Sequence, residues 1–291
     1  MADFRCGYVA LVGKPNAGKS TLLNGLLGRK LSIVTPKAQT TRHRLVGILS
    51  EPDAQIIFLD TPGVIRPRSG LHQSMIRHVT VAVGEADLLL FLVDAQSSNP
   101  DTLSLDHIRE QSTILVLNKI DLIRQTEVLP LLDAYLELRA FEAVVPVSAL
   151  TGYNMDVLLT EIKERLPAGT ALYPAEMIST HPERFFVSEI IREKLFERFR
   201  QEVPYSVAVN ISRYEENPGR KDLIQANIVV ERQSQKGIMI GAGGRSLKAV
   251  GIAARKDIEA FLGRGVFLEL FVQVRPNWRN QELLLRSYGY S

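Results

Sequence analysis

Apolar and polar positions alternate in two ways along the first 167 residues. Short runs rich in Val, Ile and Leu have the length of buried strands, and longer segments between them carry apolar residues at helical spacing. The strand-like runs are YVALVG, IIFLD, LLLFLVD, TILVLN and AVVPVS, and two helical segments are SGLHQSMIRHVTVAVGEA and VLPLLDAYLELRAF. This order predicts an α/β domain over residues 1–167 with a mostly parallel, doubly wound sheet.

A different pattern follows a break that contains several prolines. Residues 168–184 interrupt the alternation and are predicted to form a linker. Beyond it, RFFVSEIIREKLFERFRQE and SLKAVGIAARKDIEAFLG have helical spacing, whereas SVAVNIS, LIQANIVVE and VFLELFVQV are typical of strands. Residues 185–291 are therefore predicted to form a smaller α+β domain.

The turn between the first predicted strand and the first helix carries few side chains. Gly13 and Gly18-Lys19-Ser20 have the G-x-x-x-x-G-K-[ST] spacing of a phosphate-binding loop, in which backbone N–H groups surround the anion at a helix N-terminus. Lys19 can neutralise β/γ-phosphate oxygens, and the Ser20 hydroxyl can reach Mg²⁺. The alternative, an ordinary glycine turn, is disfavoured because spacing and flanking elements both match. The predicted contacts are Gly13, Lys14, Pro15, Asn16, Ala17, Gly18, Lys19, Ser20 and Thr21.

Two later strand ends carry groups suited to guanine. In LVLNKIDL, the Asp121 carboxylate can accept from N1–H and from the N2 amine of guanine, a donor pair that adenine lacks. In VPVSAL, the backbone N–H of Ala149 can donate to guanine O6. Together with the phosphate loop, these segments predict GTP rather than ATP as the nucleotide. The predicted contacts on the base side are Asn118, Lys119, Asp121, Ser148, Ala149 and Leu150.

Two further segments are candidate switches. In FLDTPG, Asp60 ends a strand and is suited to hold a Mg²⁺-bound water, and the N–H of Gly63 can meet a γ-phosphate. In AQTTRHR, the hydroxyl of Thr40 or of Thr41 can complete the metal shell. A loop ordered by the γ-phosphate and Mg²⁺ changes state on hydrolysis. The predicted metal ligands are Ser20, Thr41 and Asp60, the predicted catalytic residues are Asn16, Lys19, Thr41 and Gly63, and Thr61 and Pro62 are further predicted nucleotide contacts.

Composition and charge narrow the class of protein. A content of 45% hydrophobic and 23% charged residues is ordinary for a globular chain, and the apolar runs are shorter than the roughly 20 residues that span a bilayer. The start MADFRCGY lacks the apolar core of a signal peptide, so we expect a cytoplasmic protein.

Charge is unevenly distributed along the chain. Residues 1–181 carry 17 Lys/Arg and 19 Asp/Glu, whereas residues 182–291 carry 18 Lys/Arg and 13 Asp/Glu. The basic second half indicates either an anionic macromolecular partner or a solvated face.

A second glycine-rich loop lies in this basic half. The residues Gly241-Ala242-Gly243-Gly244 fit the GXXG loop of a KH fold, in which missing side chains let the backbone clamp a nucleotide chain. A helix-turn-helix hinge is the alternative. The loop lacks the basic residue that KH loops commonly contain. Trp278, farther along the chain, could stack an RNA base, but the favoured interpretation is a half-buried tryptophan that packs on the last helix. The predicted RNA contacts are Lys236, Gly241, Ala242, Gly243, Gly244, Arg245 and Lys248.

The motifs together resemble a known family. The set GKPNAGKS, QTTRH, DTPG, NKID and VSA resembles the translation-factor-related GTPases, and KAQTTRHR with PERFFVSEIIREKLFERFRQEVPYSVAV is similar to the Era family of bacterial ribosome-assembly GTPases. The resemblance implies a P-loop GTPase domain followed by a type II KH domain. It further implies binding to the 3′ end of 16S ribosomal RNA, a role in maturation of the 30S subunit, and peripheral contact with the inner membrane. We expect a monomer.

The sequence identifies the groups that would catalyse GTP hydrolysis less completely than those that would bind the nucleotide. Val64 follows DTPG where Ras-like proteins have a water-orienting glutamine, so intrinsic hydrolysis should be slow. Asn16 matches the asparagine that ligands K⁺ in potassium-activated GTPases, with a turn-forming asparagine as the alternative. Other functions also stay open: an RNA-binding chaperone or tether with a structural nucleotide, and a tRNA-modification or membrane-signalling GTPase. The last of these does not account for a KH half.

Overall fold

The computed structural model describes residues 4–108 and 111–290, which form two compact units. The first unit contains residues up to Pro67 together with residues 72–180. The second contains Arg68–Leu71 and the chain from His181 onward. Among the described residues, no helix is long and apolar enough to cross a membrane.

The first unit is built on a six-stranded sheet in the order β2-β3-β1-β4-β5-β6. Strands β1, β3, β4, β5 and β6 run parallel, and β2 pairs antiparallel with β3 at one edge. This confirms the mostly parallel α/β sheet that the apolar runs predicted. The strands are β1 (Arg5–Val12), β2 (Leu45–Ser50), β3 (Ala54–Asp60), β4 (Leu88–Asp94), β5 (Thr113–Asn118) and β6 (Ala143–Pro146). The helices are α1 (Lys19–Leu27), α2 (Gly70–Glu85), α3 (Thr102–Leu105), α4 (Gln125–Leu136) and α5 (Met155–Arg165).

Strand β2 was not predicted from the apolar pattern. Its sequence LVGILS is interrupted by Gly47, and no clear turn separates it from the polar loop before it. A Cβ on Gly47 would lie 2.8 Å from Leu27 Cδ1, so the missing side chain lets α1 pack closely on this strand. The strand forms because all six of its residues pair with β3, and this partner is brought beside it only by the tertiary fold.

The predicted linker packs on the first unit over most of its length. The buried Gln55 side chain accepts from the backbone N–H groups of Leu172 and Tyr173 at 2.7 and 2.9 Å. Farther along, the N–H of Ile48 donates to the carbonyl oxygen of Ile178 at 2.9 Å. Residues 168–180 therefore satisfy polar groups of β2 and β3, because a buried amide such as Gln55 needs partners.

The second unit has the element order of a type II KH fold. Its three-stranded sheet has the order β7-β8-β9, with β7 and β8 antiparallel and β8 and β9 parallel. Apolar side chains on one face of the sheet pack against α6 and α8. The elements are α6 (Glu183–Arg198), β7 (Ala208–Glu215), β8 (Asp222–Val230), α7 (Gln233–Ile240), α8 (Arg245–Leu262), β9 (Val266–Val274) and α9 (Glu282–Ser287).

Trp278 belongs to the interior of the second unit. Its side chain is fully buried, its Nε1 donates to the carbonyl oxygen of Ser206 at 2.9 Å, and the Tyr290 ring stacks on it at 5.9 Å. It is thus more deeply buried than the half-buried position expected from the sequence. A tryptophan without exposed area cannot stack an RNA base, so the base-stacking alternative is wrong and the packing alternative is confirmed.

Candidate nucleotide site and nucleic-acid interface

The phosphate loop joins β1 to α1 through two glycines that no larger residue could replace. Gly13 has a φ of +152°, and a Cβ there would lie 2.2 Å from the carbonyl oxygen of Leu92. Gly18 has a φ of +99°, and a Cβ there would lie 2.1 Å from Asn118 Nδ2. The loop consequently presses against the ends of β4 and β5, with the free N–H groups of the first turn of α1 beside it.

Lys19 is held inside this loop. Its Nζ donates to the carbonyl oxygens of Gly13 and Lys14, both at 2.9 Å, and its side chain is buried. Burial lowers the Lys19 pKa to about 8, while the negative charges of Asp60 and Asp101 act in the opposite direction. The loop thus positions a cation next to the place where phosphate oxygens would lie.

The predicted metal ligands lie together. Ser20 Oγ is 2.8 Å from Thr41 Oγ1 and donates to Asp60 Oδ2 at 2.8 Å, and Ser32 Oγ donates to the same carboxylate oxygen at 2.9 Å. Asp60 Oδ1 is buried and has no hydrogen-bond partner among the described residues, and burial raises the Asp60 pKa. The hydroxyl oxygens of Ser20 and Thr41 and the unpaired carboxylate oxygen of Asp60 are hard donors, the kind of ligand that Mg²⁺ prefers. In contrast, the Thr40 hydroxyl donates to the carbonyl oxygen of Lys37 at 2.7 Å.

Asn118 connects the three nucleotide motifs. Its Nδ2 donates to the carbonyl oxygen of Ala17 at 2.8 Å, and its Oδ1 accepts from the N–H groups of Lys119 and Ala149 at 2.8 and 3.0 Å. The Ala149 N–H, predicted to donate to guanine O6, therefore donates to Asn118 in this structure. A buried amide with three such bonds connects the phosphate loop to both base-side loops.

The remaining base-side residues differ in how they are held. Lys119 has a φ of +67°, and its Nζ bonds to Asp94 Oδ2 at 2.5 Å, at the end of β4. Asp121 is exposed in a short 3₁₀ turn, and its carboxylate makes no hydrogen bond within the described part of the chain. The carboxylate is therefore available to accept from a ligand.

A cleft of about 470 Å³ runs along the phosphate loop. Ten predicted residues line it, namely Pro15, Asn16, Gly18, Lys19, Ser20, Thr21, Thr41, Gly63, Lys119 and Leu150. Its other wall is the segment before β2, from which the sequence predicted only threonines. This wall contributes Ile33, Val34, Thr35, Pro36, Gln39 and Thr40. The predicted residues Gly13, Lys14, Ala17, Asp60, Thr61, Pro62, Asn118, Asp121, Ser148 and Ala149 do not line this cleft. Of these, Thr61 donates its hydroxyl to the carbonyl oxygen of Leu11 at 2.6 Å.

Sequence reasoning missed Asp101. This carboxylate is 3% exposed, caps α3 by accepting from the N–H of Ser104, and accepts from the N–H of Lys14 at 3.2 Å. Its own N–H donates to the Tyr135 hydroxyl at 3.0 Å. An N-cap aspartate gives only a local helix signal, so nothing in the sequence connected it with the phosphate loop.

The glycine loop of the second unit connects α7 to α8. Gly241, Gly243 and Gly244 have φ values of +70°, +58° and +77°. Cβ atoms on Gly243 and Gly244 would meet nothing within 4 Å, whereas a Cβ on Gly241 would lie 2.7 Å from Ser246 Cβ. The exposed Arg245 donates through Nε to the carbonyl oxygen of Ala242 at 3.2 Å. The loop therefore presents bare backbone at the start of an 18-residue helix.

A groove of about 370 Å³ extends from this loop between α8 and β9. Apolar and basic side chains share its surface, which suits bases and phosphates respectively. The lining residues are Gly244, Leu247, Lys248, Gly251, Ile252, Arg255, Leu268 and Leu270. Gly244 and Lys248 were predicted from the sequence as RNA contacts, whereas Arg255 was not. The predicted Lys236 lies on α7 and does not line the groove.

Comparisons with known proteins match both units of the chain. A family model described as a 50S ribosome-binding GTPase matches residues 8–119, and a KH domain model matches residues 202–279. The chain is 44% identical over 295 residues to GTPase Era of Lacticaseibacillus paracasei, covering 100% of this chain and 98% of that protein. The chain belongs to the Era family of GTPases. It is also 47% identical over 299 residues to chloroplastic GTPase ERA1 of Zea mays, covering 99% of this chain and 71% of that protein.

Two solved Era structures are similar over the whole length. A crystal structure of an Aquifex aeolicus Era variant bound to GDP and AlF₄⁻ matches with a TM-score of 0.94 at 42% identity, covering 99% of this chain and all of that one. Era in complex with MgGDPNP and nucleotides 1506–1542 of 16S ribosomal RNA matches with a TM-score of 0.95 at 42% identity, covering 99% of both chains. Membership of the Era family confirms the resemblance seen in the motifs, the GTPase class and the KH fold.

Proposed function

We propose that this chain is a GTP-hydrolysing switch that binds the 3′ end of 16S ribosomal RNA during assembly of the 30S subunit. The observation that carries the proposal is the full-length likeness to Era holding both MgGDPNP and 16S nucleotides. The cleft of the first unit and the glycine loop of the second are the surfaces that would hold these two ligands. We place the protein in the cytoplasm, with contact to the inner membrane still a prediction.

The nucleotide would lie with its phosphates on the loop from Gly13 to Ser20. Lys19 would neutralise phosphate oxygens, and the backbone of Gly63 would close the site from the opposite side. Gly63 is close enough for this, since a Cβ there would lie 2.5 Å from the backbone nitrogen of Pro15. Asp121 would select guanine by accepting from its two donors.

Ser20, Thr41 and Asp60 would hold Mg²⁺ together with the nucleotide. When bound, the ion neutralises charge that develops on the phosphate oxygens during transfer. Thr41 belongs to the segment before β2 and Asp60 to the end of β3, so one ion would join two parts of the chain. Loss of the γ-phosphate would weaken this connection and release the segment that carries Thr41.

Asn16 would supply a ligand for K⁺. It has a φ of +64°, and its Nδ2 donates to the carbonyl oxygen of Pro36 at 3.3 Å. Its side-chain oxygen accepts no hydrogen bond from residues 4–108 and 111–290 and could therefore bind a cation. Since no glutamine follows Gly63, a second cation is a physically reasonable source of charge compensation in the transition state.

Two measurements on the whole chain test this proposal. We expect slow GTP turnover in Mg²⁺ and K⁺, and tighter binding of RNA spanning 16S nucleotides 1506–1542 in one nucleotide state than in the other. Nucleotide binding without turnover would favour the alternative of an RNA tether with a structural nucleotide. Turnover without RNA binding would favour a GTPase that acts on another target.

A further inference from the structure

The glycine loop of the second unit carries no charged side chain of its own. Its four residues, 241–244, are three glycines and an alanine. The neighbouring Arg245 uses its Nε to hold the carbonyl oxygen of Ala242, so one edge of this guanidinium is already engaged with the loop backbone. A second positive group near the loop would stabilise a clamped phosphate.

Such a group reaches the loop from α6. Arg198 is the last residue of that helix, and its Nε donates to Ser246 Oγ at 3.0 Å. Ser246 in turn lies against the loop, since a Cβ on Gly241 would come within 2.7 Å of its Cβ. The contact therefore places the Arg198 guanidinium beside the residues that would clamp the nucleotide chain.

Arg198 also remains available to a ligand. The residue is exposed, and within residues 4–108 and 111–290 it forms no ion pair and its Nη atoms have no acceptor. Arg264 shows the opposite arrangement, because its Nε bonds to Asp222 and its Nη atoms bond to Glu183. A guanidinium held at one edge with its outer edge free is suited to a phosphate group.

We propose that Arg198 is an RNA-binding residue whose guanidinium contacts a phosphate of the strand clamped by residues 241–244, with Ser246 fixing its orientation. This inference rests on the proposed function, since it assumes that RNA occupies the glycine loop. It assigns to α6 a role beyond packing against α8. It also supplies the positive charge that the loop sequence lacks.

The test compares Arg198→Gln with Arg220→Gln in the full chain. Arg220 is exposed, and its replacement by Gln changes the net charge by the same amount. It lies just before β8, whose first residue, Asp222, bonds to Arg264. Arg264 follows the carboxyl end of α8, so Arg220 lies near the end of α8 that is opposite to the glycine loop. With a rise of 1.5 Å for each of 18 residues, the two ends of α8 are about 27 Å apart. Affinity for an RNA spanning 16S nucleotides 1506–1542 is measured at several salt concentrations.

We expect Arg198→Gln to weaken binding about fivefold at 0.1 M salt and to reduce the slope of log K against log salt by about 0.7, as for one lost phosphate contact on a single strand. Arg220→Gln should change neither quantity by a comparable amount. Equal losses in both variants, or no loss in Arg198→Gln, would overturn the proposal. If the parent chain did not bind the RNA at all, the proposed function would be wrong as well.

A rescue variant separates charge from helix packing. Ala242 is exposed, so Ala242→Lys places a cation at the loop without using Ser246. Added to Arg198→Gln, it should restore most of the lost affinity and of the salt slope. A double variant that folds, hydrolyses GTP and still binds weakly would show that the Arg198 contact acts through packing, and the proposal would be rejected.

Discussion

Asp101 Oδ2 accepts a hydrogen bond from the backbone N–H of Lys14 at 3.2 Å, which connects the cap of α3 to the second residue of the phosphate loop. The carboxylate is almost completely buried, and Lys14 Nζ lies 3.7 Å from its other oxygen. The shape of the loop therefore depends on a residue that lies far from it in the sequence and that does not line the cleft.

Asp101→Asn should raise the Kd for GDP about tenfold. If the amide oxygen keeps the cap on Ser104, its NH₂ group faces the Lys14 N–H, and a buried donor is then left without an acceptor at a cost of about 1–3 kcal/mol. Titration with a fluorescent GDP measures the change. Tyr135→Phe is the control, since it removes only the acceptor of the Asp101 N–H and should reduce stability without changing Kd. Equal changes of Kd in both variants would mean that Asp101 acts through general stability alone.

Asp121→Asn should convert guanine specificity toward xanthine. An amide can donate to the keto oxygen at C2 of xanthine, whereas it cannot accept from both guanine donors. Because the Asp121 side chain is exposed and bonds to no described residue, the fold should be unaffected. Competition between GDP and XDP measures the preference. A variant that retains the parental preference for GDP would show that Asp121 does not read the base.

Replacing K⁺ by Na⁺ should lower kcat for GTP hydrolysis with little change in nucleotide affinity. The added cation would compensate charge that develops mainly in the transition state, so the ground-state complex should be less sensitive. Asn16→Ala should have the same low rate in both salts. Steady-state phosphate release measures the rates. If the parent chain turns over equally fast in K⁺ and Na⁺, potassium has no part in the mechanism.

Gly244→Asp should abolish RNA binding while leaving RNA-independent GTP hydrolysis unchanged. The added carboxylate repels phosphate and fills the space needed for close approach of a nucleotide chain. Gly241 is a poorer position for this test, because its Cβ would collide with Ser246 and disturb the fold.

Gly263→Asp is a matched control for this variant. Gly263 has a φ of +68° against +77° for Gly244, and a Cβ at either position meets nothing within 4 Å. The control therefore introduces the same charge and similar backbone strain at the other end of α8. Filter binding with the 16S fragment compares the two. Similar losses in both variants would place the RNA site elsewhere.

The strands of the first unit and the phosphate loop could be predicted because their signals are local. A parallel strand buried on both faces, such as β4, reads as a continuous apolar run whatever surrounds it. The loop from Gly13 to Ser20 is specified by glycines whose φ values and close contacts exclude side chains. The two-domain order and the likeness to Era followed from motifs of the same local kind.

Other features depend on partners that lie far away in the chain, and only the tertiary structure decided them. Strand β2 needs β3, residues 168–180 are held by groups such as Gln55, and Trp278 is buried by Ser206 and Tyr290. A hydrogen bond between distant residues leaves no periodic trace in the sequence, since either side chain would be equally plausible on a solvated surface. The sequence alone therefore predicted that the two glycine loops bind phosphate and a nucleotide chain, whereas the places of Asp101 and Arg198 beside these loops came from packing.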